Sequence, residues 1–289
     1  MAYRLTTETT CDLPYSYYEE RNIAYVGLGF VMKGKEYIEG PHQEIPPAEV
    51  YASMRQKESC TTNQANAFRF VEMFEPILQA GEDILHLSFS SGLSGTCQSA
   101  NQAAEELAEK YPDRRVIVVD SLCASMGQGL LLHFLADNRD NGMSLEDNAA
   151  WAEAHKLNVC HWFTVDDLMF LHRGGRVPKT TAVLGSLLGI KPVLHVDNEG
   201  HLIAMSKVRG RAASLQALAK RMKETMTEDP AKATVFISHG DCEEEAKQTA
   251  AYVEEMTGAK VKLFNLIGAV IGSHSGPGTM ALFFMGSER

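Results

Sequence analysis

Two short segments crowd hydroxyl side chains beside backbone that could hold an anion. Ser88-Phe-Ser-Ser-Gly-Leu-Ser-Gly-Thr96 follows a strand-like run and opens a helical pattern. The first N–H groups of a helix have no partner within it and sit at the positive end of its dipole. A hydroxyl-rich loop there favours a carboxylate or a phosphate. Ser94 also stands where an N-cap would, and capping is compatible with anion binding. Thr61-Thr-Asn-Gln64 is a second hydroxyl cluster, read as the start of another helix with Thr62 or Asn63 as its cap. Two such starts could converge on one anionic group at the C-terminal edge of a sheet, where ligands bind in open α/β folds.

Three further segments carry polar chemistry. Phe170-Leu-His-Arg-Gly-Gly-Arg176 sets two arginines across a diglycine. Glycine lets backbone approach a ligand and arginine binds carboxylate or phosphate through a planar fork, although a solvent-exposed turn reads the same way. Ile271-Gly-Ser-His-Ser-Gly-Pro-Gly278 places His274 among glycines and hydroxyls rather than apolar neighbours, which favours a functional role over a core histidine. Lys207-Val-Arg-Gly-Arg211 is a compact basic run, either a solvated face or a docking patch for an acidic partner or phosphate.

Other chemistries find little support. Ser94 as a nucleophile with His274 as its base would make an acyl-ester hydrolase, but Gly92-Leu-Ser-Gly95 is not the Gly-x-Ser-x-Gly elbow and no acidic third member is evident. A small-molecule or phosphate-binding regulator without a lipid role would use the same hydroxyl loops. No GxxxxGK or GxGxxG follows a strand, which argues against a nucleotide enzyme. The six cysteines form no CxxC pair, and neither HExxH nor HxxxH occurs, so free thiols and no metal site are expected. His239-Gly-Asp241 is the nearest approach to a ligand pair.

The elements that must position these residues alternate in type. Strands are expected at Tyr3–Thr7, Ile23–Met32, Asp83–Phe89 and Arg115–Asp120, with helices at Pro46–Gln56, Ala65–Ala80, Ser94–Lys110, Gly127–Asn138 and Ser144–Leu157. Strands separated by helices of this length imply right-handed βαβ units and a largely parallel sheet. From about Val159 the texture changes. Lys191–Asp197 and Leu202–Val208 read as a hairpin across Asn198-Glu-Gly200, followed by strands at Thr234–Ser238 and Lys260–Phe264 and helices at Ala212–Met226 and Glu243–Thr257. The expected architecture is α/β in two domains, residues 1–158 as a layered α/β unit and residues 159–289 as a mixed α/β unit.

At 289 residues and 45% hydrophobic content the chain can bury a substantial core. A formal charge of −10 argues against nucleic acid as a partner and against attachment to anionic lipid by charge. The N-terminus shows no basic stretch followed by an apolar one, and the longest apolar runs fall far short of a membrane span, so a cytoplasmic protein without stable membrane insertion is expected.

Taken in order, these segments resemble one family. Thr7-Glu-Thr-Thr-Cys-Asp-Leu-Pro14 is similar to the Thr-Asp-Ser-Thr-Cys-Asp-Leu-Pro opening of DegV proteins. Thr61-Thr-Asn-Gln, Leu93-Ser-Gly-Thr, Val119-Asp-Ser, Arg173-Gly-Gly-Arg, Gly189-Ile-Lys-Pro and Gly272-Ser-His-Ser-Gly-Pro-Gly resemble its other signatures, across nearly the whole chain. The resemblance implies a two-domain carrier that buries one long-chain fatty acid and needs no cofactor. It implies that Thr62 and Ser94 hold the carboxylate, with His274 and Arg173 near the head group. It further implies a non-catalytic subunit of bacterial fatty acid kinase, whose separate ATP-dependent partner forms the acyl phosphate for phospholipid synthesis. Glu8 and Thr9 depart conservatively from the pattern, as do Asn63 and Ala65 where Ser and Pro are commoner.

Overall fold

The computed structural model describes residues 3–179 and 189–289. In chain order, the first part contains β1 (Tyr3–Glu8), α1 (Tyr15–Glu20), β2 (Ile23–Val26), β3 (Gly29–Met32), β4 (Lys35–Ile38), α2 (Pro47–Arg55), β5 (Cys60–Asn63), α3 (Ala67–Gln79), β6 (Asp83–Ser88), α4 (Thr96–Lys110), β7 (Val116–Asp120), α5 (Met126–Asp140) and α6 (Leu145–His155). There follow β8 (Val159–Thr164), α7 (Met169–Arg173), β9 (Ile190–Val196), β10 (Leu202–Arg209), α8 (Arg211–Thr225), β11 (Val235–His239), α9 (Glu243–Thr257), β12 (Val261–Leu266), α10 (Ala269–Ser275) and β13 (Met280–Met285).

Three sheets result. A parallel sheet runs β2-β1-β6-β7, and a mixed six-stranded sheet runs β10-β9-β8-β13-β11-β12. The third is antiparallel, β4-β3-β5, and was not legible in the sequence as a separate sheet. Every strand of the six-stranded sheet lies after residue 158, yet one hydrophobic cluster joins Leu5 and Leu85 to Phe163, Phe236 and Phe283. Helix α5 lies between the two larger sheets. Leu130, Leu131 and Leu132 are all fully buried, as expected of a helix apolar around its whole circumference.

Several local expectations hold. Ser144 caps α6 by accepting a hydrogen bond from Asp147 N at 3.1 Å. The β9–β10 hairpin turns through Gly200, whose positive φ suits glycine. Helix α3 buries Phe70, Phe74, Ile77 and Leu78 on one face.

Three local expectations are corrected. Ile23–Met32 is two strands in two sheets, divided at Gly27, where the chain passes so close to the Glu39 carbonyl that a Cβ would lie 2.1 Å from it. Thr61-Thr-Asn-Gln64 does not start a helix. Thr62 lies on β5, paired with Phe30, and the cap of α3 is Asn66, which accepts from Arg69 N at 3.1 Å. Antiparallel pairing to β3 captured a segment whose polar residues read as a cap. Helix α4 begins at Thr96 with Gly95 in the cap position, and Ser94 lies one residue outside it.

The opening motif is internal throughout. Thr7, Glu8, Thr9, Thr10 and Asp12 are all buried. The Glu8 carboxylate accepts from Ser88 Oγ (2.8 Å), Phe89 N (3.0 Å) and Gln128 Nε2 (2.7 Å) and faces His86 Nε2 at 3.1 Å. Asp12 accepts from Ser125 Oγ (2.5 Å) and Gly268 N (2.8 Å). The motif therefore ties the parallel sheet to α5 and to the start of α10, satisfying polar groups that would otherwise be costly to bury.

Candidate lipid-binding site

A cavity of about 850 Å³ opens where the three sheets meet. Its volume lies toward the upper end of the roughly 300–1,000 Å³ usual for small-molecule sites. Phe163 of β8, Val196 of β9, Leu202 of β10 and Phe283 of β13 contribute an apolar wall, with Phe89 and Val270 beside them. Thr62, Ser94, Arg173, Arg176 and His274 contribute polar lining.

One contact in this polar group joins residues 212 positions apart. Thr62 Oγ1 and His274 Nε2 lie 2.8 Å from each other, so β5 and the C-terminal turn of α10 meet at the site. Burial, followed by the positive charge of Arg176, pulls the His274 imidazole down to about 4, so the ring is neutral near pH 7. Its Nδ1 is buried without a partner among the described residues, packed so closely on Gly174 that a Cβ there would lie 2.1 Å away. A bare lone pair is cheaper to bury than an orphaned N–H, which assigns the proton to Nε2. Nε2–H then donates to Thr62 Oγ1, and the Thr62 hydroxyl hydrogen is left to donate to another acceptor.

Ser94 lies on the loop before α4. Its Oγ is 2.8 Å from Thr96 Oγ1 and accepts from Thr96 N at 3.2 Å. At Gly95 a Cβ would fall 2.5 Å from Gln64 Oε1, so the residue after β5 lies against the Ser94 loop. The structure thus brings Thr62, Ser94 and His274 to one cavity. It does not join Ser94 to His274, because the histidine is bonded to Thr62 and the serine to Thr96. A serine–histidine dyad is absent from this arrangement.

The two arginines divide. Arg173 is exposed, with its guanidinium 4.5 Å from the centre of the Phe170 ring. Arg176 turns inward: Nη2 donates to Leu93 O at 2.7 Å and Nη1 to Gly174 O, so its charge lies beside the Ser94 loop and acts on His274. Both arginines of the motif were candidates in the sequence, and the family resemblance placed Arg173 near the head group; both line the cavity. Between them stands Gly175, whose φ of +74° reverses the chain between the two side chains.

Two further lining residues went unrecognised. Ser125 has φ 54° and ψ −145°, a strained conformation for a non-glycine residue, and its hydroxyl is held by Asp12 and by Ser238 Oγ at 2.9 Å. His161 is pushed well below its usual range by burial. Its Nδ1 donates to Val159 O (2.9 Å) and its Nε2 accepts from Ala124 N (3.3 Å), which makes it a neutral wall residue.

Among the described residues no group of three His, Cys, Asp or Glu side chains could hold a metal, and all six cysteines are free. His239 Nδ1 accepts from Cys242 N instead. The Lys207–Arg211 run is not one face, since Arg211 turns in to Glu245 Oε2 and Gly278 O, each at 2.6 Å. Among the described residues no helix is long and apolar enough to cross a membrane.

Known proteins resemble the chain along its length. The profile of the DegV family, described as an uncharacterised protein family, matches residues 3–287. A DegV domain-containing protein of Clostridium perfringens is 42% identical over 98% of this chain and 97% of its own. Among solved structures, a DegV family protein from Thermus thermophilus, described for its fatty acid binding, has a TM-score of 0.88 at 31% identity, covering 99% of this chain and 100% of its own. A stearic acid-binding protein from Eubacterium ventriosum has a TM-score of 0.88 at 25% identity, covering 98% of each chain. With the family profile matched over residues 3–287 and the same fold in solved relatives, this chain belongs to the DegV family.

Proposed function

We propose that this protein binds one long-chain fatty acid, with the acyl chain in the cavity and the carboxylate at Thr62 and Ser94. The observation that carries this reading is a single large cavity combining an apolar wall with a converged Thr62, His274, Ser94 and Arg176 group. Solved DegV relatives described as fatty acid-binding proteins support it. A sixteen-carbon tail contributes on the order of 10 kcal/mol at about 0.8 per methylene. Several kcal/mol of that offset the cost of association, which leaves a tight but releasable complex.

The head group has a distinctive balance. Thr62 supplies a neutral hydroxyl donor, aimed by His274, and Ser94 supplies a second hydroxyl. Arg176 has both terminal nitrogens on backbone carbonyls, so its charge acts through space rather than through a fork. A carboxylate held this way keeps its nucleophilic character, whereas a direct two-pronged arginine contact would withdraw charge from it. We infer a non-catalytic carrier in the cytoplasm that presents the carboxylate to an ATP-dependent kinase subunit, which forms the acyl phosphate for phospholipid synthesis. In this role residues 1–158 supply Thr62 and Ser94, and residues 159–289 supply His274 and Arg176. An acyl-ester hydrolase would need Ser94 and His274 in contact. A phosphate-binding regulator would have no use for the apolar wall.

The test is native mass spectrometry of protein purified without detergent, then organic extraction of the ligand. One fatty acid per chain is expected. Protein that is empty and also fails to take up added oleate would end the carrier reading. Thr62→Ala and Ser94→Ala variants that load lipid and support phosphorylation like wild type would remove those residues from the head group.

A further inference from the structure

We propose that the outer edge of β10 is the docking strand for an acidic extended segment of the partner protein. Four observations point there. Leu202–Lys223 contains six cations and no acid, in a chain whose 37 acidic residues outnumber its 27 Lys and Arg. Three of those cations are engaged: Arg211 is bound to Glu245, Lys220 pairs with Glu224, and Arg221 bonds Glu224 and lies over the Trp162 ring. Lys207 and Arg209 are exposed and have no ion-pair partner among the described residues.

The strand itself is open. β10 is the terminal strand of the six-stranded sheet, pairing with β9 on one side and with nothing among the described residues on the other. It runs for eight residues and leaves Ile203 39% and Met205 47% exposed. Charged residues and a bulge, here between Ala204 and Ser206, are also the usual means of blunting an edge against aggregation. Protection alone does not account for two large apolar side chains presented beside those charges. The combination suits β-augmentation, in which main-chain hydrogen bonds supply affinity and alternate side chains supply selectivity.

The edge is also connected to the head group. Leu202 lines the cavity at the start of β10, and the preceding turn rests on the loop that leads to Ser94. Ser90 Oγ donates to Gly200 O at 2.9 Å, and a side chain on Gly92 would lie 2.6 Å from Glu199 O. A protein strand added to β10 would therefore lie next to the loop that carries the carboxylate contact. Complementary charge at such a rim governs encounter and its salt dependence more than the chemistry that follows.

This docking role rests on the carrier function proposed above, and the experiment reads the two separately. Oleate-loaded wild type and a Lys207→Glu/Arg209→Glu variant are titrated against a purified ATP-dependent fatty acid kinase subunit. Acyl phosphate is trapped with hydroxylamine, and bound oleate is counted by native mass spectrometry. The variant is expected to hold one oleate per chain and keep kcat, while KM rises roughly tenfold or more and loses most of the salt dependence seen in wild type. An unchanged KM would overturn the docking strand. So would loss of self-association in the variant by sedimentation, which assigns the edge to a second copy. Flotation of wild type but not variant with phosphatidylglycerol vesicles, with KM unchanged, assigns it to a membrane and also overturns it. Wild type that carries oleate but is never phosphorylated would remove the kinase partner, and the docking strand with it.

Discussion

Thr62→Val is the sharpest single perturbation of the site. Valine keeps the shape and the β5 backbone of Thr62 and removes only the hydroxyl that faces His274 Nε2 at 2.8 Å. In the lipid complex it removes a hydrogen bond to an ionised carboxylate, worth about 1.5–3 kcal/mol. Dissociation constants should therefore rise about 10- to 100-fold. The acyl tail is untouched, so the variant still binds, and Thr62→Ser restores most of the loss. In the empty protein the same change leaves His274 without a partner among the described residues on either nitrogen. That costs about 1 kcal/mol, the low end of the usual penalty, because water in the cavity can replace the hydroxyl. The assay is displacement of a fluorescent fatty acid by oleate, with thermal unfolding of the empty protein alongside. A dissociation constant for Thr62→Val within about twofold of wild type would refute the inferred direction of the hydrogen bond and the place of the carboxylate.

Other perturbations test neighbouring parts of the site. Because His274 titrates near 4 when folded and near 6.5 when unfolded, the unfolded chain binds more protons in that window, and stability is lost as pH falls from about 6.5 to 4. His274→Gln should lessen that loss by on the order of 2 kcal/mol, read from urea unfolding at pH 4.5 and 7.5. Gly174→Ala would drive a Cβ into His274 Nδ1 and should destabilise by about 1–3 kcal/mol while weakening oleate binding. Normal binding by that variant would show that His274 can leave its place without consequence. Arg176→Ala should reduce oleate affinity by roughly tenfold and Arg173→Ala by no more than about threefold, since only Arg176 is directed at the Ser94 loop. The reverse order would restore Arg173 to the head group.

Much of this protein was legible from local pattern. Periodic apolar spacing located α3 because Phe70, Phe74, Ile77 and Leu78 must share one buried face. Ser144 with Asp147 three residues on marked the start of α6, and Asn198-Glu-Gly200 marked the β9–β10 hairpin. Strands alternating with helices implied the parallel sheet, and the ordered motifs implied the family. The hydroxyl loops and His274 were recognisable as polar chemistry because of the company they keep in sequence.

Tertiary structure decided what sequence spacing cannot encode. Thr62 read as a helix cap because Thr and Asn beside a helical pattern are ordinary caps. Pairing with β3, more than thirty residues earlier, made it a strand residue and set it against His274. Arg173 and Arg176 are equivalent in a motif, but the left-handed turn at Gly175 and the carbonyl of Leu93 separate an exposed side chain from an inward one. The proton on His274 depends on a buried nitrogen packed against Gly174, a hundred residues away. Residue type and local order determine which groups are present. Which of them face one ligand depends on contacts between distant segments, and these exist only once the three sheets have closed around the cavity.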